Sequence, residues 1–201
     1  MAVELLNMDC MEYMAGLSDK HFDLAIVDPP YGININNNSG RLGHYGGKKN
    51  WDNSIPTKEY FNELCRVSVN QIIWGGNYFD LPPTRGFVIW DKKQPEGVSF
   101  ASCEYAWTSF DKSAKTYYQR PQNADIIRIH PTQKPVTLYK WLLKNYAKEG
   151  DKILDTHLGS GSSAIAAHNM GFDFVGTELD TDYYKAACKR FKLQTAQLSL
   201  L

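Results

Sequence analysis

No apolar run in the 201-residue chain approaches the roughly 20 residues that cross a bilayer, so no membrane span is expected. Met1-Ala2-Val3-Glu4 carries no basic segment leading into an apolar stretch, and no secretory leader is expected. No Cys-x-x-Cys pair occurs. Cys10, Cys65, Cys103 and Cys188 are scattered, without a histidine spacing that suits zinc. The expectation is four free thiols in a reducing cytoplasm, and no metal. An excess of either charge is also missing, since 22 Lys+Arg meet 22 Asp+Glu. That balance excludes a purely electrostatic coat for nucleic acid but leaves room for a local basic stripe. There is no internal repeat and no long linker, so one domain over residues 1–201 is expected.

What the chain does have is an alternation of short β-rich apolar runs with helical patterns. Strands are expected near Val3–Leu6, Phe22–Asp28, Gln71–Trp74, Phe87–Trp90, Tyr105–Phe110, Lys152–Asp155 and Phe172–Thr177. Helices are expected over Met11–Leu17, Lys58–Val69, Val136–Lys148, Ser162–Met170 and Asp182–Leu193, with Gly150 and Gly171 near two of the stops. Together these predict an α/β fold: one seven-stranded, mostly parallel sheet with helices on both faces.

Between Gly32 and Asn53 the pattern breaks into Gly, Asn and Lys, which offer little to bury and predict a long mobile surface loop. The loop follows Asp28-Pro29-Pro30-Tyr31, which ends the Phe22 strand. Strand ends of open α/β sheets line the ligand crevice. Two prolines remove two N–H donors, so the corner is expected to offer only acceptors: the Asp28 carboxylate and the carbonyls of Asp28 and Pro29. A group with two hydrogens to give, such as an exocyclic amine, fits that corner. Tyr31 offers a flat face, and stacking of a nucleobase on such a face is worth roughly 1–3 kcal/mol.

A second signal runs from Lys152 to Ala164 as strand, glycine turn and helix, with Gly159, Gly161 and Ala164 in a G-x-G-x-x-A pattern. Glu178 ends the next strand, where an acid accepts from a ribose diol. To this point a nicotinamide dehydrogenase fits as well. Asp155, just before the turn, sits where a pyrophosphate would lie. Its charge would repel that group and attract a ligand carrying an ammonium and a sulfonium, as S-adenosylmethionine does.

Taken together, the chain resembles the amino-group DNA methyltransferases, which modify adenine N6 or cytosine N4. Asp28-Pro29-Pro30-Tyr31 matches the family's catalytic motif, and Asp155 to Gly161 its cofactor-binding glycine motif. His130-Pro131-Thr132-Gln133-Lys134-Pro135 matches a further signature. Asn7-Met8-Asp9-Cys10 resembles the strand end that reaches the cofactor's adenine. The order, catalytic motif first, resembles the circularly permuted β-class arrangement. The resemblance implies a Rossmann-like methyltransferase fold and S-adenosylmethionine as cofactor. DNA is the implied partner, with a homodimer reasonable by analogy. It implies a catalytic set of Asp28, Pro29, Pro30 and Tyr31. It implies cofactor contacts from Asp9, Cys10, Asp28, Lys134, Asp155, His157, Gly159, Ser160, Gly161, Glu178 and Leu179. An Asp at the head of the tetrapeptide is more typical of adenine N6 enzymes, with cytosine N4 as the alternative.

The chain departs from the pattern in two places. Thr156-His157 stands where the family usually has Pro-Phe, which predicts weaker packing against the cofactor. No large recognition insert is present, leaving DNA contact to Arg41, His44, Lys48 and Lys49 in the loop and to Lys112, Lys115 and Arg120 around Tyr117 and Tyr118. Rival readings are the dehydrogenase, a catalytically silent cofactor-binding partner, and the same chemistry on RNA or a protein glutamine. His130 is expected to be a satisfied structural histidine.

Overall fold

The structure is a computed structural model that describes residues 1–35, 50–97, 101–121 and 128–196. Eight strands form one sheet: β1 (Val3–Leu6), β2 (Phe22–Val27), β3 (Ser68–Trp74), β4 (Phe87–Asp91), β5 (Cys103–Thr108), β6 (Lys115–Tyr118), β7 (Lys152–Asp155) and β8 (Asp173–Thr177). Their order across the sheet is β1-β8-β7-β2-β3-β5-β4-β6. All neighbours pair in parallel except β3 with β5 and β5 with β4, so β5 alone runs against the rest.

The expected mostly parallel sheet is present, with one strand more than the seven expected. The extra strand, β6, is an edge strand in which only Tyr117 is partly buried. A strand that buries so little needs no apolar run, which is why Lys115-Thr116-Tyr117-Tyr118 does not read as one.

Among the described residues five α-helices connect or follow the strands: α1 (Cys10–Ala15), α2 (Lys58–Val67), α3 (Val136–Tyr146), α4 (Ser162–Met170) and α5 (Thr181–Ala196). They cover both faces. Leu24 and Ile26 of β2 point to a core shared with Leu138 and Leu142 of α3 and Ile165 of α4. Ala25 and Val27 point the other way, towards Met14 of α1 and Leu64 of α2. Burial on both faces is what a continuous Leu-Ala-Ile-Val run demands of a central strand.

Strand order fixes where a ligand can bind. After β2 the chain crosses to β3, whereas after β7 it crosses to β8 on the other side. The ends of β2 and β7 therefore part above a crevice, the topological switch point of an open sheet. Asp28 follows β2 and Asp155 ends β7, so the tetrapeptide and the glycine turn face each other across that crevice. Residues 36–49, which hold Arg41, His44, Lys48 and Lys49, lie outside the described residues. No helix among the described residues is long and apolar enough to cross a membrane.

Candidate active site

Asp28 does not stand in a corner free of donors. The Tyr31 hydroxyl donates to Asp28 Oδ1 at 2.6 Å, and Lys134 Nζ donates to Oδ2 at 2.5 Å. Lys134, in the turn before α3, is only 3% exposed. Its ammonium also lies 3.0 Å from Glu104 Oε2, and Glu104 Oε1 lies 2.7 Å from Lys92 Nζ. Four charges thus alternate in sign: Asp28, Lys134, Glu104, Lys92.

Burial pushes the Lys134 ammonium down, but the two carboxylates outweigh it and hold the amine protonated. For Glu104, burial is likewise outweighed, here by Lys134 and Lys92, and its carboxyl falls to about 2. Asp28 goes the other way. Burial lifts it above the usual carboxylate range, Lys134 opposes this, and the charge of Glu104 adds to it. Of the two acids that share one ammonium, Asp28 is the one that more readily takes a proton.

Tyr31 is positioned by glycine and by a second acid. Its ring lies on Gly75, just past β3, where a Cβ would sit 2.1 Å from Tyr31 Cε1, and Gly75 has φ +69°. The ring stacks on Tyr78 with centroids 4.9 Å apart and 12° between planes. The buried Asp52 carboxylate accepts the backbone N–H groups of Tyr31, Gly32 and Ile35 at 2.8–2.9 Å. It pins the start of the loop. One face of the Tyr31 ring, expected to receive a base, is thus occupied by Tyr78 in this structure.

Two cavities meet at Asp28. The larger, about 490 Å³, runs over the glycine turn. Of the expected cofactor contacts, Asp9, Cys10, Asp28, Lys134, His157, Gly159, Ser160, Glu178 and Leu179 line it. Asp155 and Gly161 are not among its lining residues. The Asp155 carboxylate is turned inward, taking the Ser163 hydroxyl at 2.5 Å and the His157 N–H at 3.0 Å. The ammonium-attracting role given to Asp155 is corrected accordingly. Among the described residues, the negative charge on the lining comes instead from Asp9, Asp28, Glu178 and Asp180, against the single ammonium of Lys134. Glu178 accepts from Gly159 N and Asp180 N, one on each oxygen, which orients its carboxylate. Asp9 Oδ1 caps α1.

His157 behaves as an aromatic. Burial drives its pKa to about 4, and the neutral ring packs edge-on against Tyr60 at 5.3 Å. Thr156 closes the same unit by hydrogen-bonding Tyr60 and His157. His157 thus supplies an aromatic ring at the place where the family usually has Phe. The Cys10 thiol, pushed up to about 12 by burial and then by Asp9, stays protonated and is no nucleophile. His130 is buried between the rings of Trp51 and Tyr183, at 5.2 and 4.4 Å.

The smaller cavity, about 280 Å³, is lined by the tetrapeptide, Trp51, Tyr78, Lys92, Glu104 and Tyr105, and shares Asp28, Pro30, Trp51, Thr132 and Lys134 with the larger one. Glu104 and Lys92 carry no local sequence motif. They meet only because antiparallel pairing sets Glu104 of β5 beside Trp90 of β4. Gly75-Gly76 after an apolar strand was a readable sign of close backbone approach.

The expected DNA contacts separate. Lys115 starts β6 opposite Val88, at the end of the sheet away from the crevice, and its ammonium binds Asn145. Lys112 lies there too, over the rings of Phe110 and Tyr146. Arg120 lies beyond the crevice end of β6, donating to the Lys93 carbonyl, and Lys93 lies over the exposed Tyr118. Sequence proximity grouped these cations, but the strand between them carries them to opposite ends.

A sheet that parts over a carboxylate-lined cavity, with an acid–aromatic tetrapeptide on one lip, defines an amino-group methyltransferase architecture. The family model described as DNA methylase matches residues 69–189, and the chain belongs to that N6/N4 family of amino-group DNA methyltransferases. It is 26% identical to the type II methyltransferase M2.DpnII of Streptococcus pneumoniae, over 94% of this chain and 90% of the relative. It is also 26% identical to M2.LlaDCHI of Lactococcus lactis subsp. cremoris, over 92% and 88%. Among solved structures, the fold is shared with the M1.HpyAVI complex with S-adenosylmethionine, at TM-score 0.61 and 21% identity over 94% of this chain and all of that one. It is shared also with the cytosine-N4-specific PvuII DNA methyltransferase, at TM-score 0.66 and 10% identity over 98% and 93%.

Proposed function

We propose that this protein transfers a methyl group from S-adenosylmethionine to the exocyclic N6 of adenine in DNA, in the cytoplasm. The observation that carries the reading is the meeting of two cavities at Asp28, one sized and charged for a cationic nucleoside, the other for a flat base. The donor set fits the cofactor. Glu178 suits a ribose diol, the exposed Leu179 a flat adenine, and the excess of carboxylates a ligand with ammonium and sulfonium groups. A pyrophosphate would be repelled by the same acids, which disfavours a dinucleotide.

Bound there, S-adenosylmethionine supplies an electrophilic methyl group on sulfur. The chain's own residues do the rest. The target nucleotide leaves the duplex, because its amino group is otherwise engaged in pairing. Tyr78 holds the place on the Tyr31 ring that the flipped base takes over. Asp28 and the Pro29 carbonyl accept the two amino hydrogens, so the nitrogen lone pair turns towards the cofactor cavity. The Tyr31 hydroxyl fixes the Asp28 carboxylate during this. Rate comes from positioning and from a preformed negative charge next to a nitrogen that becomes positive. Once the methyl is on, nitrogen must lose a proton, and Asp28, lifted by burial, is the acceptor at hand. No covalent intermediate with the enzyme is needed.

The lean to adenine rests on Asp at the head of the tetrapeptide. Labelled methyl transfer to unmethylated DNA, followed by nucleoside analysis, tests it: N6-methyladenine is expected. N4-methylcytosine would overturn the base assignment, and no label in DNA would overturn the activity.

A further inference from the structure

Asp28 presents a problem for its own role. Both of its oxygens already accept a strong donor, one the Tyr31 hydroxyl and the other the Lys134 ammonium. Each oxygen keeps a further lone pair, but an ammonium on one of them weakens it as an acceptor for an incoming amine, and a buried cation cannot simply let go. Taking an ammonium away from its counter-charge in a dry site is costly unless a second carboxylate receives it. The structure holds such a carboxylate. Glu104 Oε2 lies 3.0 Å from the same Nζ, and its other oxygen is anchored at 2.7 Å by Lys92. Glu104 is held on β5 by pairing opposite Trp90, so its backbone cannot follow Lys134 towards Asp28. The ammonium is flanked by the rings of Trp74 and Tyr31, at 5.2 and 5.8 Å, which leaves it a short path between the two acids.

We propose that Glu104 is a positioning residue that provides a second seat for the Lys134 ammonium, which shifts from Asp28 to Glu104 as the target amine arrives and so frees an acceptor site on Asp28. This rests on the reading of Asp28 as the group that grips the amine. Lys92 keeps Glu104 in place and compensates its charge. The net charge of the cluster stays the same throughout, so base capture requires no proton uptake, and Asp28 exchanges its ammonium for the amino hydrogens of the target.

The charged and titratable groups facing Asp28 are Tyr31 on its own turn, Lys134 ahead of α3, Tyr139 on α3, Glu104 on β5 and Asp155 on β7, with Lys92 behind Glu104. The negative charge of Glu104 helps hold Asp28 above the usual carboxylate range. Removing it lets Asp28 ionise at lower pH and ties Lys134 to Asp28 alone.

The test is Glu104→Gln in the full-length protein, with kcat measured across pH, S-adenosylmethionine affinity by calorimetry, and a melting curve. The expected result is a kcat lower by roughly 10–100-fold, cofactor affinity unchanged, and the acid limb of the pH profile moved to lower pH. A wild-type kcat overturns the proposal. So does a reduced kcat with an unmoved acid limb, which marks a merely structural role. If Glu104→Gln does not fold, Glu104→Asp carries the test, because it keeps the charge but withdraws it from Lys134. There too a lower kcat with the limb displaced to lower pH supports the proposal, and wild-type behaviour overturns it. Asp28→Asn separates the two levels. If it is fully active, the underlying reading of Asp28 fails, whereas an inactive Asp28→Asn beside a fully active Glu104→Gln removes only the second seat.

Discussion

Asp155 shows how one residue type can be legible while its role is not. Its place before the glycine turn is evident from the sequence, but which way its side chain points depends on Ser163 and on the His157 N–H, which only the folded turn brings to it. Turned inward and fully buried, it titrates at about 7, chiefly because burial penalises the charged form. Its folded-state pKa is thus above its unfolded one. The stability it contributes is complete below the ordinary carboxylate range and is lost as pH rises through about 7. Asp155→Asn keeps both hydrogen bonds, with the amide donating to Ser163, and removes the buried charge. Its melting temperature should exceed that of the wild type at alkaline pH, by roughly 2–4 °C for each kcal/mol relieved, and the difference should vanish in acid. Equal melting curves across that range would show that the carboxylate is not desolvated. His157 is the converse case: a titratable side chain that burial makes into a neutral aromatic packing on Tyr60.

At the scale of elements, the turn after β3 does as much for the site as the tetrapeptide does. Gly75 adopts φ +69° and lets the Tyr31 ring lie directly on its Cα, and Asp52 ties down the backbone after Tyr31. Gly75→Ala places a methyl 2.1 Å from the ring and forces a strained backbone conformation. The left-handed conformation alone costs about 1–2 kcal/mol. With the ring displaced, the Tyr31 hydroxyl leaves Asp28. Turnover should fall by roughly 10–100-fold while calorimetry finds cofactor affinity unchanged, and an unaltered turnover would contradict the wedge.

The strands and helices that bury apolar side chains, β2 and α3 above all, were readable because hydrophobic pattern and burial are the same fact seen twice. Strand β6 was not, because an exposed edge leaves no pattern. Lys112 and Lys115 were misplaced for that reason. The candidate site was readable where it is local in sequence, in Asp28–Tyr31, Gly159 and Glu178. Glu104 and Lys92 were hidden, because pairing across the sheet and not sequence spacing brings them to Lys134.

For the molecule as a whole, topology converts two distant motifs into one site. Asp28 and the Thr156–Ser160 turn lie far apart in the chain, yet the β2–β7 adjacency and the opposite crossovers after those strands put them on one cavity. The same arrangement decides the ligand. Carboxylates line the cavity, Lys134 alone among the described residues opposes them, and the cavity shares Asp28 with a second, aromatic one. Of the cations assigned to DNA, Arg120 lies past the end of the edge strand β6 on the crevice side of the sheet, next to Lys93 and the exposed Tyr118. The most direct test compares wild type with Asp28→Ala, measuring S-adenosylmethionine binding and methyl transfer to DNA on the same preparations. The prediction is that the variant still binds the cofactor, more weakly for the loss of one of the four lining carboxylates, and transfers no methyl even at saturating cofactor. A folded Asp28→Ala that methylates DNA at the wild-type rate would contradict the central claim.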